Sequence, residues 1–414
     1  MSASYDTARQ MFADWEVDTE AALAALATIP ISVHCWQGDD VVGFEGQSGA
    51  SGGGIQATGN HPGRARNPGE LRADLDFAFA QIPGRHRLNL HAFYMDTDER
   101  PDRDAIEYRH FAPWVDWAKQ AGIGLDFNPT FFAHPKADDN LTLSHPDEGI
   151  RDFWIEHGKR TREIAARIGQ ELGSPAVNNI WVPDGSKDVP VDRMAARRRL
   201  EASLDAMIAR KFDKAHMLDA VESKLFGIGV EAMTVGSHEF YLGYAIRRGT
   251  LLCLDMGHFH PTENIADKLS SVALSVGELL LHVSRPVRWD SDHVILLNDD
   301  ILQMAQELVF AGLLDRTHIG LDFFDATISR TAAWVIGTRN MQKALLRALL
   351  LPQAALKAAE ERLDFTSRLM LSEEAKDLPF GAVWAEFCAR AGVPTGQALI
   401  AGLDAYQASV AGRG

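Results

Sequence analysis

The chain has 414 residues, 46% hydrophobic and 24% charged, with a formal net charge of −16. This is the composition of a soluble globular protein, and the acidic balance argues against nucleic acid or anionic membrane as partner, because phosphate binding relies on clustered Lys and Arg. No segment approaches the roughly 18 apolar residues of a spanning helix, the first residues lack a basic and then apolar leader, and the dispersed Cys35, Cys253 and Cys388 suit a reducing compartment, so a cytoplasmic location is expected.

In chain order, short apolar runs at 31–36, 87–94, 124–131, 177–182, 220–226, 251–256, 279–283 and 318–323 read as strands. Between them, apolar residues at three- and four-residue spacing predict helices over 70–82, 105–120, 150–172, 191–211 and 299–314. Strands alternating with helices imply βαβ units and a parallel sheet. Eight such units predict a closed (β/α)8 TIM barrel over 1–329, with an N-terminal helix. The alternative, an open doubly wound sheet, wants a phosphate loop after its first strand. Residues 46–54 (GQSGASGGG) contain neither a Gly-Lys-Ser/Thr ending nor a GxGxxG opening a helix. The Gly-rich stretch 39–67 instead predicts a mobile loop over the barrel mouth. Residues 330–414 lack strand signals and carry helical patterns at 331–351, 354–362 and 375–390. They are expected to form a helical extension that packs on the barrel or on a neighbouring subunit.

The active site of such a barrel lies at the C-terminal ends of its strands. The fifth strand ends with Glu222, followed by Lys224. The sixth ends with Asp255, with one imidazole just beyond it, His258 or, two residues on, His260. The seventh carries His282 and leads to Asp290 and Asp292, and the eighth leads to Asp322. Each acid alone is explained as a helix cap, and a lone His as a hydrogen-bonded core residue. Together they bring five carboxylates and two imidazoles to one rim, where the acids would repel and protonate unless cations gather them. Oxygen donors with a minority of imidazole and no thiolate suit Mn2+, Mg2+ or Co2+ better than structural zinc, and seven donors suggest two ions. Asp290 and Asp292 share a face of extended backbone. Lys224, on the face of Glu222, would either pair with the acids or steer a substrate oxygen. Across the rim Trp36, His91, Phe131, Trp181 and Asp184 are candidates to line a sugar site, the tryptophans against apolar faces and the polar groups against hydroxyls.

The segments 34–40 (HCWQGDD), 52–60 (GGGIQATGN), 221–227 (VESKLFG), 253–255 (CLD), 257–263 (GHFHPTE), 282–293 (HVSRPVRWDSDH) and 332–340 (AAWVIGTRN) closely resemble the L-rhamnose isomerase family. The resemblance spans nearly the whole chain. It implies a (β/α)8 barrel, a cytoplasmic homotetramer, and Mn2+-dependent interconversion of L-rhamnose and L-rhamnulose in rhamnose catabolism, with Co2+, Mg2+ or Zn2+ as substitute ions. It further implies that His258, rather than His260, joins Asp290 and Asp292 on a catalytic ion, while Glu222, Asp255, His282 and Asp322 hold a substrate-anchoring ion. Catalysis is then expected to fall to Asp322, Asp290, Asp292 and Lys224, through a hydride shift whose rival is an enediol route. Broader aldose specificity and a dinuclear-metal hydrolase on the same barrel are the alternatives.

Overall fold

The computed structural model describes residues 3–45, 57–224, 232–288 and 291–413. Eight parallel strands close into a barrel: β1 (Pro30–His34), β2 (Arg85–His91), β3 (Gly124–Asn128), β4 (Ala176–Trp181), β5 (Met217–Glu222), β6 (Leu251–Asp255), β7 (Leu279–Val283) and β8 (Thr317–Leu321). Each strand pairs with its sequence neighbours, and β8 returns to β1 through Ile31 opposite Ile319 and Ser32 opposite Gly320. Most of the strands are buried on both faces, by the barrel interior and by the helices outside, so they read as apolar runs rather than alternating ones; β2 (RHRLNLH), exposed or half-buried over its first three residues, is an exception. Asp147 caps the long helix Glu148–Leu172 by accepting from the Ile150 N–H, and Gly173 ends it in the left-handed conformation at φ 63°.

Two details differ from the sequence reading. The helix expected over 105–120 begins only at Ala112, because Pro113 starts a helix well but interrupts one, and two short 3-10 turns precede it. The helix Arg330–Leu349, expected to open the C-terminal extension, is the barrel's own eighth helix. Its Trp334 Nε1 donates to the His34 carbonyl at the end of β1 (2.8 Å). The helices after it lie against the outside, tied by Arg390 to Glu20 of the N-terminal helix Thr19–Thr28 (2.7 and 2.8 Å) and by Arg413 to Asp74 (2.8 Å). No described helix is long and apolar enough to cross a membrane.

Inward-facing positions alternate along each strand and set the character of the interior. On β4 to β7 the lower layers are apolar: Val177, Leu218, Ala220, Leu251, Cys253 and Leu280 form one buried cluster. On β1 to β3 they are polar, with Arg87 gripping Asp126 through two bonds (2.8 and 2.9 Å) while Ser32 donates to the same carboxylate (2.6 Å). The next inward residues up the apolar strands are Asn179, Glu222, Asp255 and His282. On these four strands the polar groups of the mouth therefore stand on an apolar layer.

Beside the mouth, Asp39 is buried and accepts from the Tyr94 hydroxyl and from the Gly43 N–H (2.7 Å). Burial raises its carboxyl from 3.8 to about 7, against the opposing pull of those two donors. The native chain thus keeps a proton there that the unfolded chain has already lost. Between about pH 4 and about pH 7 this group binds more protons in the native state, and its contribution to stability falls as pH rises through that window. Asp39→Asn should remove this decline in urea denaturation midpoints across the window. A wild-type slope in the variant would mean that Asp39 is already ionised when folded.

Candidate metal centre at the barrel mouth

Glu222 closes β5, Asp255 closes β6, His282 lies on β7 and Asp322 follows β8. Across the ladder His282 stands opposite both Asp255 and Gly320. His282 Nδ1 is 3.3 Å from Glu222 Oε1, 3.2 Å from Asp322 Oδ2 and 3.7 Å from Asp255 Oδ2. A Cβ on Gly320 would sit 3.3 Å from the His282 ring and 3.2 Å from the Leu281 carbonyl, so glycine is what lets the imidazole lie flat against β8.

Donor atoms of Glu222, Asp255, His282 and Asp322 all lie within 4.8 Å of one another. Ligands at about 2.1 Å from a common Mg2+-like ion are separated by up to ~4.2 Å, so this set fits one divalent cation with only small adjustment. Three carboxylates and one imidazole make a hard, oxygen-dominated donor set, the kind that suits Mg2+ or Mn2+. Among the described residues one further group is close enough, Glu222, Cys253 and His282. Burial drives the Cys253 thiol upward, which keeps it protonated and a weak ligand. Burial also opposes charge on Glu222, but the His282 and His258 imidazoles outweigh it and hold the carboxyl well below its usual range.

The acids have fixed partners besides the shared centre. Trp36 Nε1 donates to Asp322 Oδ1 (3.0 Å), and Asn179 Nδ2 donates to Glu222 Oε2. Each contact occupies one carboxylate oxygen and leaves the other toward His282. His258 Nδ1 lies 3.2 Å from Glu222 Oε1, with its ring parallel to Trp181 at 6.4 Å. Buried Asp292, at φ 33°, lines the same cavity. Asp290, the remaining member of the expected second set, lies outside the described residues.

The mouth holds a cavity of about 500 Å3, part of it open to solvent, and Trp36, His91, Phe132 and Trp181 line it together with Glu222 and Asp322. Burial depresses the His91 imidazole to about 3, so it is neutral, and its Nδ1 pairs with Thr130 Oγ1 (3.0 Å). Lys224 Nζ donates to the Pro183 carbonyl (3.1 Å), and the residue borders an adjoining cavity that His258 also lines. His260 is exposed and bonded to Thr262 (2.7 Å).

Two residues expected at the mouth stand elsewhere. Phe131 packs behind the wall against Trp154 and His157, and its neighbour Phe132 faces the cavity. Asp184 is buried and takes four bonds, from the N–H and hydroxyl of both Thr142 and Ser144 (2.6 to 2.9 Å). With its oxygens so occupied it shapes the 142–144 turn rather than facing a ligand. Sequence reasoning also passes over Asn179, although it shares the inward face of Trp181 two residues on, and an Asn pair in an apolar strand is a signal of its own.

A closed parallel barrel with a divalent-cation donor set at the C-terminal ends of its strands defines a candidate metal-dependent barrel enzyme. The family described as L-rhamnose isomerase (RhaA) matches residues 1–413. A protein named L-rhamnose isomerase from Mannheimia succiniciproducens is 60% identical over 98% of this chain and 97% of its own length. Another of that name from Listeria monocytogenes serotype 4a is 57% identical over 99% of this chain and 98% of its own length. Among solved structures, an L-ribulose 3-epimerase aligns at 12% identity with a TM-score of 0.48, covering 82% of this chain and 98% of its own. The chain belongs to the L-rhamnose isomerase family.

Asn179 carries a direct expectation. Asn179→Leu keeps the side chain's branching and heavy-atom count but removes the donor that orients Glu222, and should weaken binding of added Mn2+ roughly 10- to 100-fold, the usual effect of losing a partner that orients a ligand. Calorimetric titration of the metal-stripped protein measures it. Unchanged affinity would show that Glu222 needs no such support.

Proposed function

We propose that the chain is a cytoplasmic, homotetrameric isomerase that interconverts L-rhamnose and L-rhamnulose with Mn2+ at two sites. The observation that carries this reading is full-length identity of 57% to 60% with proteins named L-rhamnose isomerase, in a chain whose strand ends converge on a cation donor set. Glu222, Asp255, His282 and Asp322 would hold the anchoring ion, and His258, Asp290 and Asp292 the second.

Bound divalent cations supply Lewis acidity toward adjacent oxygens of the open-chain sugar. The protein's own groups do the rest. Trp36, His91, Trp181 and Phe132 enclose the chain of the sugar, and the neutral His91 ring offers a hydrogen bond to a hydroxyl. Lys224 steers a substrate oxygen from the side of the adjoining cavity. Asp322, held by Trp36, assists removal of the proton from O2, and Asp290 and Asp292 act with it. Within the sugar the C2–H bond breaks, hydride moves to C1, and the proton taken from O2 is returned at O1, so the aldehyde becomes an alcohol and C2 a ketone. Phe131 and Asp184 have structural parts in this scheme, backing the wall and fixing the 142–144 turn.

Protein treated with EDTA should lose turnover of L-rhamnose and regain it with Mn2+, and to lesser extents with Co2+, Mg2+ or Zn2+, in an assay across a panel of aldoses. Activity indifferent to EDTA would overturn the assignment. With C2-deuterated L-rhamnose the label should remain in the ketose at C1. Extensive loss of deuterium to water would replace the hydride shift by an enediol route.

A further inference from the structure

Beyond the cation centre, the mouth contains an unusual stretch of backbone. Asp40 and Val41 are consecutive residues with φ 63° and 60°. A β-branched residue is rarely found there, and such strain persists only where the surroundings over-determine it. The pair sits on one of two stems, 39–45 and 57–67, that flank residues 46–56, which lie outside the described residues, and Val41 lines the cavity that holds Glu222, His258 and His282.

What over-determines it is Arg330, the first residue of the eighth barrel helix, buried at 5% exposure. Its Nε and Nη2 form a two-pronged bond to Asp40 Oδ1 and Oδ2 (2.8 and 2.7 Å). Its Nη1 donates to the His61 carbonyl on the other stem (2.7 Å). That second stem is sewn to the exit of β8: the His61 N–H donates to Ala326 O (2.8 Å) and the Ala326 N–H to Thr58 O (3.1 Å). Val41 N–H is bonded back to Trp36 O (3.0 Å). One planar guanidinium thus spans both stems at once, a task its fixed fork suits and a Lys ammonium does not.

We infer that Arg330 is a positioning residue for the reaction, which through Asp40 and the His61 carbonyl locks both stems of the mouth loop and holds Val41 in the cavity wall. The kinetic part of this inference rests on the proposed isomerase activity, and the exchange part does not.

The test compares Arg330→Met and Arg330→Lys with wild type as full-length, Mn2+-loaded protein. Amide hydrogen exchange over residues 38–45 and 57–66 should speed up by roughly tenfold or more in Arg330→Met, with the barrel strands unaltered, as for local rather than global opening. KM for L-rhamnose should rise by roughly tenfold with kcat within about twofold, the sign of lost ground-state fit. Arg330→Lys should fall between, and it serves as the deciding variant should Arg330→Met fold poorly. Wild-type exchange in these stems, or faster exchange with an unchanged KM, would overturn the inference. Failure of the wild-type protein to act on L-rhamnose would instead strike the functional reading, and exchange alone would then decide the clamp.

Discussion

Three carboxylates and an imidazole share a space fit for one ion, and this concentration of charge is the constraint around which the mouth is organised. Side chains alternate along a strand, so the layers that bury Leu218, Ala220, Leu251 and Cys253 must deliver Glu222 and Asp255 inward at the next step. No rearrangement of side chains alone avoids the resulting repulsion. The protein manages it by fixing one oxygen of Glu222 with Asn179 and one of Asp322 with Trp36. The remaining oxygens are aimed at a common point, where a divalent cation would offset the charge.

The second organising feature is the seam where the barrel closes. β1 and β8 share only a short ladder, and their exits are joined by side chains instead. His34 bonds to the Phe323 carbonyl, Trp36 to Asp322, and Gln37 exchanges two bonds with the backbone of Asp325 (2.8 and 2.9 Å). Asp322 is therefore held from the turn that follows the first strand, nearly three hundred residues earlier in sequence. Closure of the fold and placement of a candidate ligand are the same event.

The barrel is legible in the sequence because strands buried on both faces are mostly apolar runs; seven of the eight lie within the marked runs or close to them, while β5 (Met217–Glu222) shares only its last three residues with the run expected at 220–226. Glu222, Asp255, His282 and Asp322 are legible for a related reason, since each is a charged or polar group at the end of such a run. Legibility fails just beyond the strands. β3 ends at Asn128 and β4 at Trp181, so alternation does not extend to Phe131 or Asp184, and in irregular backbone Phe132 turns to the cavity instead. Among the helices, Phe365–Glu374 has no buried residue, and its apolar Phe365, Leu369 and Met370 are exposed. The clamp of Arg330 on Asp40 and His61 is equally invisible, because it joins residues about 270 to 290 apart through one exposed-looking cation.

Gly320 has a consequence for how the barrel assembles. It is the residue on β8 that faces the His282 ring, and its neighbours Ile319 and Leu321 are bulky and branched. A slip of β8 by one position against β7 would drive one of these side chains into the imidazole and turn the inward face outward. The missing side chain thus marks one alignment of the last two strands, the one that sets glycine against the histidine ring.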